Sequence, residues 1–273
     1  MFKPSVIKVI LCIIVIIGII TVVGVTGLYL PLNEGETKNN QIRKYDVTYR
    51  VALDDGDFPP LIVYNEDMEP TGFDIDLLHL IANTMEFNLI FVPTPWSNIF
   101  ATLEAKEVDM IMSGASITPE RLEKYLFSDP YLSISQSVAI SSQGTMFMDD
   151  FYAGYGIVGV KTGTTSEGLV REILIDTGIL PEENLKTYSD VEFGAQGLVN
   201  GEIHYLLSDW PVMVALIQRF PIHIIGDIDT GEKYGIVIHK DNKRLQKTIN
   251  QGLEQLASSY ELDRVKYKYL LDY

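Results

Sequence analysis

One cysteine, Cys12, is all the thiol chemistry this 273-residue chain contains. No disulfide can form within the chain, and the part beyond residue 12 has no thiol nucleophile and no cysteine metal site, so it must be held together by its core. Histidine is scarce as well. His79, His204, His223 and His239 lie far apart without the His-Glu-x-x-His spacing of a metal helix, so no metal or cofactor motif is present. Positive charge is the minority sign, with 21 Lys and Arg against 37 Asp and Glu. Without the five basic and two acidic residues of the first 45, the remainder carries 16 against 35, a balance of −19. Such a surface disfavours nucleic acid and anionic lipid as partners.

Acidic residues are also missing from the first thirty-three positions, which hold the longest apolar run. Val9 to Leu30 is 22 residues without a charge, preceded by Lys3 and Lys8. A bilayer core needs about 20 such residues, and the flanking lysines keep the N-terminus cytoplasmic. Residues 1–30 are therefore expected to be a transmembrane anchor. The alternative is a cleaved signal segment, whose apolar region usually runs only ~7–15 residues. Either way the working part is expected outside the cytoplasmic membrane. Residues 31–45, with Pro31, Glu34, Gly35, Lys38, Asn39 and Asn40, are polar and aperiodic and read as a linker.

Beyond the linker, strand and helix patterns alternate. Val47, Tyr49, Val51 and Leu53 predict a half-buried strand, while Ile75, Leu78, Ile81, Ala82 and Met85 share one helix face. Leu89–Val92 predicts a strand, Ser97 would cap a helix through Glu104, and Asp109–Met112 reads as a further strand. Thr118-Pro119 is a capping residue followed by proline at the first helical position. A second series begins near Ile157, with a helix opened by Thr164 and Thr165, strands at 185–188, 203–208 and 222–225, and helices at 190–199 and 211–219. Residues 234–239 predict a last strand and 242–258 an amphipathic helix. This order implies two α/β lobes, each a central, largely parallel sheet flanked by helices, joined by two crossover strands with a cleft between them. The expected division is 46–139 plus 232–273 for lobe 1 and 140–231 for lobe 2. Gly154-Tyr-Gly-Ile-Val-Gly159 has dinucleotide-site spacing, but its glycines precede the expected strand, so it reads as a turn.

Several motifs in order make the chain resemble the extracellular solute-binding proteins of family 3, the polar amino-acid receptors of ABC importers. They include Gly72-Phe-Asp-Ile-Asp-Leu77, Asp109-Met-Ile-Met-Ser113, Ser116-Ile-Thr-Pro-Glu-Arg121, Phe127-Ser-Asp-Pro-Tyr131, Val158-Gly-Val-Lys-Thr-Gly-Thr164 and Ser208-Asp209. The resemblance covers roughly residues 46–270 and implies a two-lobed periplasmic-binding-protein-like (type II) fold. Position by position, it implies that Phe58 and Trp96 wall the ligand side chain and that Ser113, Gly114 and Ser116 meet its head group. Arg121 would take the carboxylate, Thr164 and Thr165 would assist from a helix N-terminus, and Asp209 would accept from the ammonium. The physical requirement agrees: a zwitterion enclosed between lobes needs a guanidinium at one end and a carboxylate at the other.

The resemblance also implies that Asp55 and Lys161 stand where they can reach the ligand side chain. A primary amide offers both donors and an acceptor, so the pair favours glutamine, with a basic amino acid as the alternative ligand. The resemblance further implies an ABC permease as partner, a monomer, and binding without catalysis. Two other functional classes share the fold. One is a ligand-binding sensor domain for amino acids. The other is a cyclohexadienyl or arogenate dehydratase-like enzyme, which would need a general acid aimed at a leaving hydroxyl.

Overall fold

The first strand, β1 (Val47–Asp54), becomes fully buried only in its second half. Pairing explains why. One neighbour, β4 (Phe87–Thr94), runs parallel along its whole length, whereas β5 (Met110–Ile111) joins its other edge only at Val51 and Ala52. Here the chain is a computed structural model describing residues 44–271. The expected anchor and nearly all of the expected linker lie outside those residues. Among the described residues no helix is long and apolar enough to cross a membrane.

After β1 comes a small hairpin, β2 (Val63–Tyr64) with β3 (Pro70–Thr71), and then helix α1 (Phe73–Thr84). Helix α2 (Trp96–Glu104) follows β4, and α3 (Pro119–Lys124) and β6 (Tyr125–Phe127) follow β5. The first sheet has the order β4-β1-β5-β12-β6, in which β12 (Val237–His239) returns antiparallel from the far end of the chain. Helix α8 (Lys243–Ala257) then packs on α1. Its buried residues Leu245, Ile249, Gly252, Leu253 and Leu256 repeat at helical spacing. Gly252 permits the approach, since a Cβ there would stand 2.8 Å from Ile81 Cγ2.

The second sheet has the order β11-β7-β10-β8-β9. Strands β8 (Val158–Lys161), β9 (Leu185–Tyr188) and β10 (Tyr205–Asp209) are parallel. Strands β7 (Leu132–Ser141) and β11 (Ile222–Tyr234) run antiparallel to each other, and β7 runs antiparallel to β10. Helices α4 (Met148–Tyr152), α5 (Thr165–Val170), α6 (Val191–Val199) and α7 (Trp210–Ile217) belong to this lobe, and α9 (Glu261–Lys266) closes the chain on the first. Strands β7 and β11 carry the chain between lobes. The result is a two-lobed, periplasmic-binding-protein-like α/β fold.

Several local expectations are corrected. Ser97 is not the cap of α2; Pro95 holds that position and Trp96 already lies inside the helix. The strand expected at 222–225 runs on through Tyr234, because β7 offers it partners from Ile222 to Ile228 and again from Glu232 to Tyr234. Tyr234 therefore ends β11, and the strand expected at 234–239 is shortened to β12.

Candidate functional site

The C-terminal ends of the two parallel sets of strands face one another, and the side chains there line one cavity. Its walls hold Asp54, Phe58, Trp96, Ser113, Gly114, Ser116 and Arg121 from the first lobe, with Lys161, Thr164, Thr165 and Asp209 from the second. Ten of the eleven residues singled out in the sequence are thus brought together. The eleventh is a correction: Asp55 is exposed, and Asp54 points inward in its place. The cause is strand alternation at the last residue of β1. A one-residue slip moves a side chain to the opposite face.

Local geometry fixes the first-lobe residues. Thr118 caps α3 by accepting from the Arg121 N–H at 3.3 Å, which sets where Arg121 leaves the helix. The guanidinium donates to the Ser116 carbonyl at 2.9 Å and lies over two rings, 5.0 Å from the centre of Phe100 and 5.6 Å from that of Trp96. Gly114 has φ 55°, and a Cβ there would stand 2.9 Å from the Phe58 ring, so glycine lets the backbone pass beneath that wall. Its N–H donates at 2.8 Å to Asp74, a fully buried carboxylate that also accepts from the Tyr131 hydroxyl.

At one end of the cavity, Lys161 is ion-paired with Asp54 across the two lobes, each side chain 5% exposed. Burial pushes the Asp54 carboxyl upward, against the pull of the Lys161 ammonium. That ammonium sits 5.4 Å from the centre of the Phe58 ring and 5.8 Å from that of Trp96. Trp96 also crosses between lobes, donating from Nε1 to the Gly163 carbonyl at 3.2 Å.

At the other end lies Asp209. It stands at the N-cap position of α7 but makes no side-chain cap bond. Its carboxylate accepts instead from Gln136 Nε2 and from the Tyr234 hydroxyl. Burial pushes Asp209 up to about 7, helped by the nearby Glu232 carboxylate and opposed by Tyr234, Gln136 and Arg121. Arg121 is lowered by burial and supported by Glu232 and Asp209, and a guanidinium keeps its charge in such a setting. Sheet register explains the convergence. Asp209 lies opposite Gln136, and Glu232 lies opposite Ile134, two residues along the same strand and hence on the same face.

The sequence reading missed Asp54, Phe100, Gln136, Glu232 and Tyr234. Phe100 carried a signal, since it follows Trp96 by four residues on one helix. Gln136 and Glu232 carried none, because their importance comes from non-local register alone.

This geometry defines a class: a two-lobed binding protein with oppositely charged groups facing one another across a closed cleft. Within that class, the chain belongs to the bacterial extracellular solute-binding proteins, family 3, whose family model matches residues 49–272. A probable histidine-binding protein of Neisseria gonorrhoeae is 29% identical over 225 residues, covering 81% of this chain and 82% of its own. Among solved structures, an ancestral arginine-binding protein bound to arginine matches with a TM-score of 0.74 at 28% identity. It covers 82% of this chain and 98% of its own. An ancestral arginine-binding protein bound to glutamine matches with a TM-score of 0.73 at 28% identity, covering 82% of this chain and 97% of its own.

Proposed function

We propose that this protein captures a free polar amino acid, glutamine in preference to a basic one, and presents it to the permease of an ABC importer. The carrying observation is that Arg121 and Asp209, from opposite lobes, line one cavity with the Lys161–Asp54 pair. Arg121 takes the α-carboxylate through its free N–H groups, and Asp209 accepts from the α-ammonium. Ser113, Gly114, Ser116, Thr164 and Thr165 supply further hydrogen-bonding groups to the head group. Phe58 and Trp96 flank the side chain.

Lys161 favours an uncharged side chain. Its ammonium already stands between the aromatic walls, so an incoming guanidinium would meet a like charge there. A primary amide would accept from Lys161 and donate to Asp54. Two similar solved structures, each of an ancestral arginine-binding protein, one bound to arginine and the other to glutamine, support a pocket of this fold taking either ligand type. The protein would act outside the cytoplasmic membrane as a monomer, held there by its N-terminal segment.

The test is thermal stabilisation of the full chain by each of the twenty amino acids. Selective stabilisation by glutamine is expected, and a chain that no amino acid stabilises would overturn the reading.

A pH dependence follows from Asp209. Its raised value, about 7, means that the buried carboxyl is protonated in mildly acid solution. A ligand ammonium selects the ionised form, so below that pH binding must release a proton. Affinity should rise up to about tenfold per pH unit between pH 5 and 7 and level off above. The sign for folding is opposite. Without ligand, the stability owed to neutral Asp209 is full below its unfolded value near 4 and is lost as pH rises through about 7. Calorimetry in buffers of different ionisation enthalpy reads the released proton directly. Asp209→Asn should abolish it.

A further inference from the structure

We infer that Glu232 is an internal carboxylate that ties the two lobes together and competes with the ligand's own carboxylate for the hydroxyls of Ser116 and Thr165. Glu232 lies on β11 near the passage between lobes, half-buried, and was not among the residues picked from the sequence. Its Oε1 accepts from Ser116 Oγ in the first lobe and from Thr165 Oγ1 in the second. Its Oε2 accepts from Gln136 Nε2 at 3.0 Å, on the other crossing strand, and from Thr230 Oγ1 at 3.4 Å. One side chain thus joins both lobes and both crossing strands through atoms of the chain itself.

Proton counting turns this tie into a competition. A serine or threonine hydroxyl has one proton to donate. Those of Ser116 and Thr165 are both committed to Glu232. The two amide protons of Gln136 are committed to Asp209 and Glu232, while its Oε1 accepts from Ser166 at 2.6 Å. Among the side chains at this end of the cavity, an arriving carboxylate finds unused N–H groups on Arg121, one of whose donors already serves the Ser116 carbonyl. To gain the two hydroxyls, the ligand must take them from Glu232. The charged neighbours sharpen the exchange. Asp209 and Glu232 are two carboxylates beside a single guanidinium, Arg121, and a ligand carboxylate would be a third.

The tie therefore stabilises the closed cleft before ligand arrives and is given up when ligand binds. Removing it should raise the energy of the unliganded closed form without loss to the complex. Its ligand arm rests on the amino-acid reading above; its conformational arm does not.

The experiment uses the full chain with Cys12→Ser and spin labels at Leu122 and Phe193, which are exposed in the first and second lobe respectively. Distances are measured first with no amino acid added. Glu232→Gln should at least double the long-distance, open fraction, and Thr165→Val, which removes one donor, should do the same. Glutamine and arginine are then titrated calorimetrically. Glu232→Gln should bind the favoured one at least fivefold more tightly, whereas Thr165→Val should bind it more weakly. Unchanged distances in both variants would overturn the tie, and unchanged or weaker binding by Glu232→Gln would overturn the competition. If neither amino acid binds any version, the ligand assignment fails and takes the competition with it, while the distances still decide the tie.

Discussion

Replacing Arg121 by alanine should weaken amino-acid binding by about 2–5 kcal/mol, a loss of roughly 30-fold to several thousand-fold in Kd. The size comes from what is left behind. The ligand carboxylate would remain enclosed near Glu232 with no guanidinium to offset it, while Asp209 is taken up by the ligand ammonium. Arg121→Lys should recover only part of the loss. An ammonium cannot form the paired, planar contact with a carboxylate, and it stacks less well on the rings of Phe100 and Trp96. Isothermal calorimetry measures both variants. An Arg121→Ala protein with wild-type affinity would remove Arg121 from the site.

The second large effect belongs to Lys161. Lys161→Met would strand the Asp54 carboxylate in a buried position, and breaking one side of such a pair costs about 3–5 kcal/mol of folding stability. Lys161→Met combined with Asp54→Asn should recover most of it, since neither charge then lacks a partner. Chemical denaturation measures the two and their coupling. The single variant should also change ligand preference. With the internal ammonium gone and Asp54 still present, the gap between Phe58 and Trp96 becomes attractive to a cationic side chain. The ratio of arginine to glutamine affinity should then rise, by about tenfold or more. A ratio that stays constant would show that Lys161 does not discriminate between side chains.

Much of the two-lobed fold was legible in the sequence because its elements announce themselves locally. Thr118-Pro119 marks the start of α3, and Asp190 and Asn242 cap their helices with their side chains. Leu185–Tyr188 is a strand where periodicity placed it. What escaped was set by distant pairing. Tyr125–Phe127 became β6 only because β12 returns beside it, and Met148–Tyr152 formed α4 where the sequence reading assigned no element.

The same division holds for the cavity. Residues carried on recognisable turns and caps, such as Gly114, Arg121 and Thr164, could be picked from their motifs. The choice between Asp54 and Asp55 could not, because it depends on which residue ends β1 facing inward. Gln136 and Glu232 look like ordinary polar residues until the second sheet sets them on one face.

Strand β11 departs from simple register between Ile228 and Glu232. Ile228 pairs with Gln136 and Glu232 with Ile134, so four steps on one strand span two on the other. The surplus is two residues, an even number, and this preserves the alternation that points Glu232 and Tyr234 to the side of Gln136 and Asp209. Evolution could lengthen or shorten the segment 229–231 by pairs and keep the chemistry of the cleft intact. A single-residue deletion would reverse the parity of every side chain that follows, turning Glu232 out to water and taking the Tyr234 hydroxyl away from Asp209.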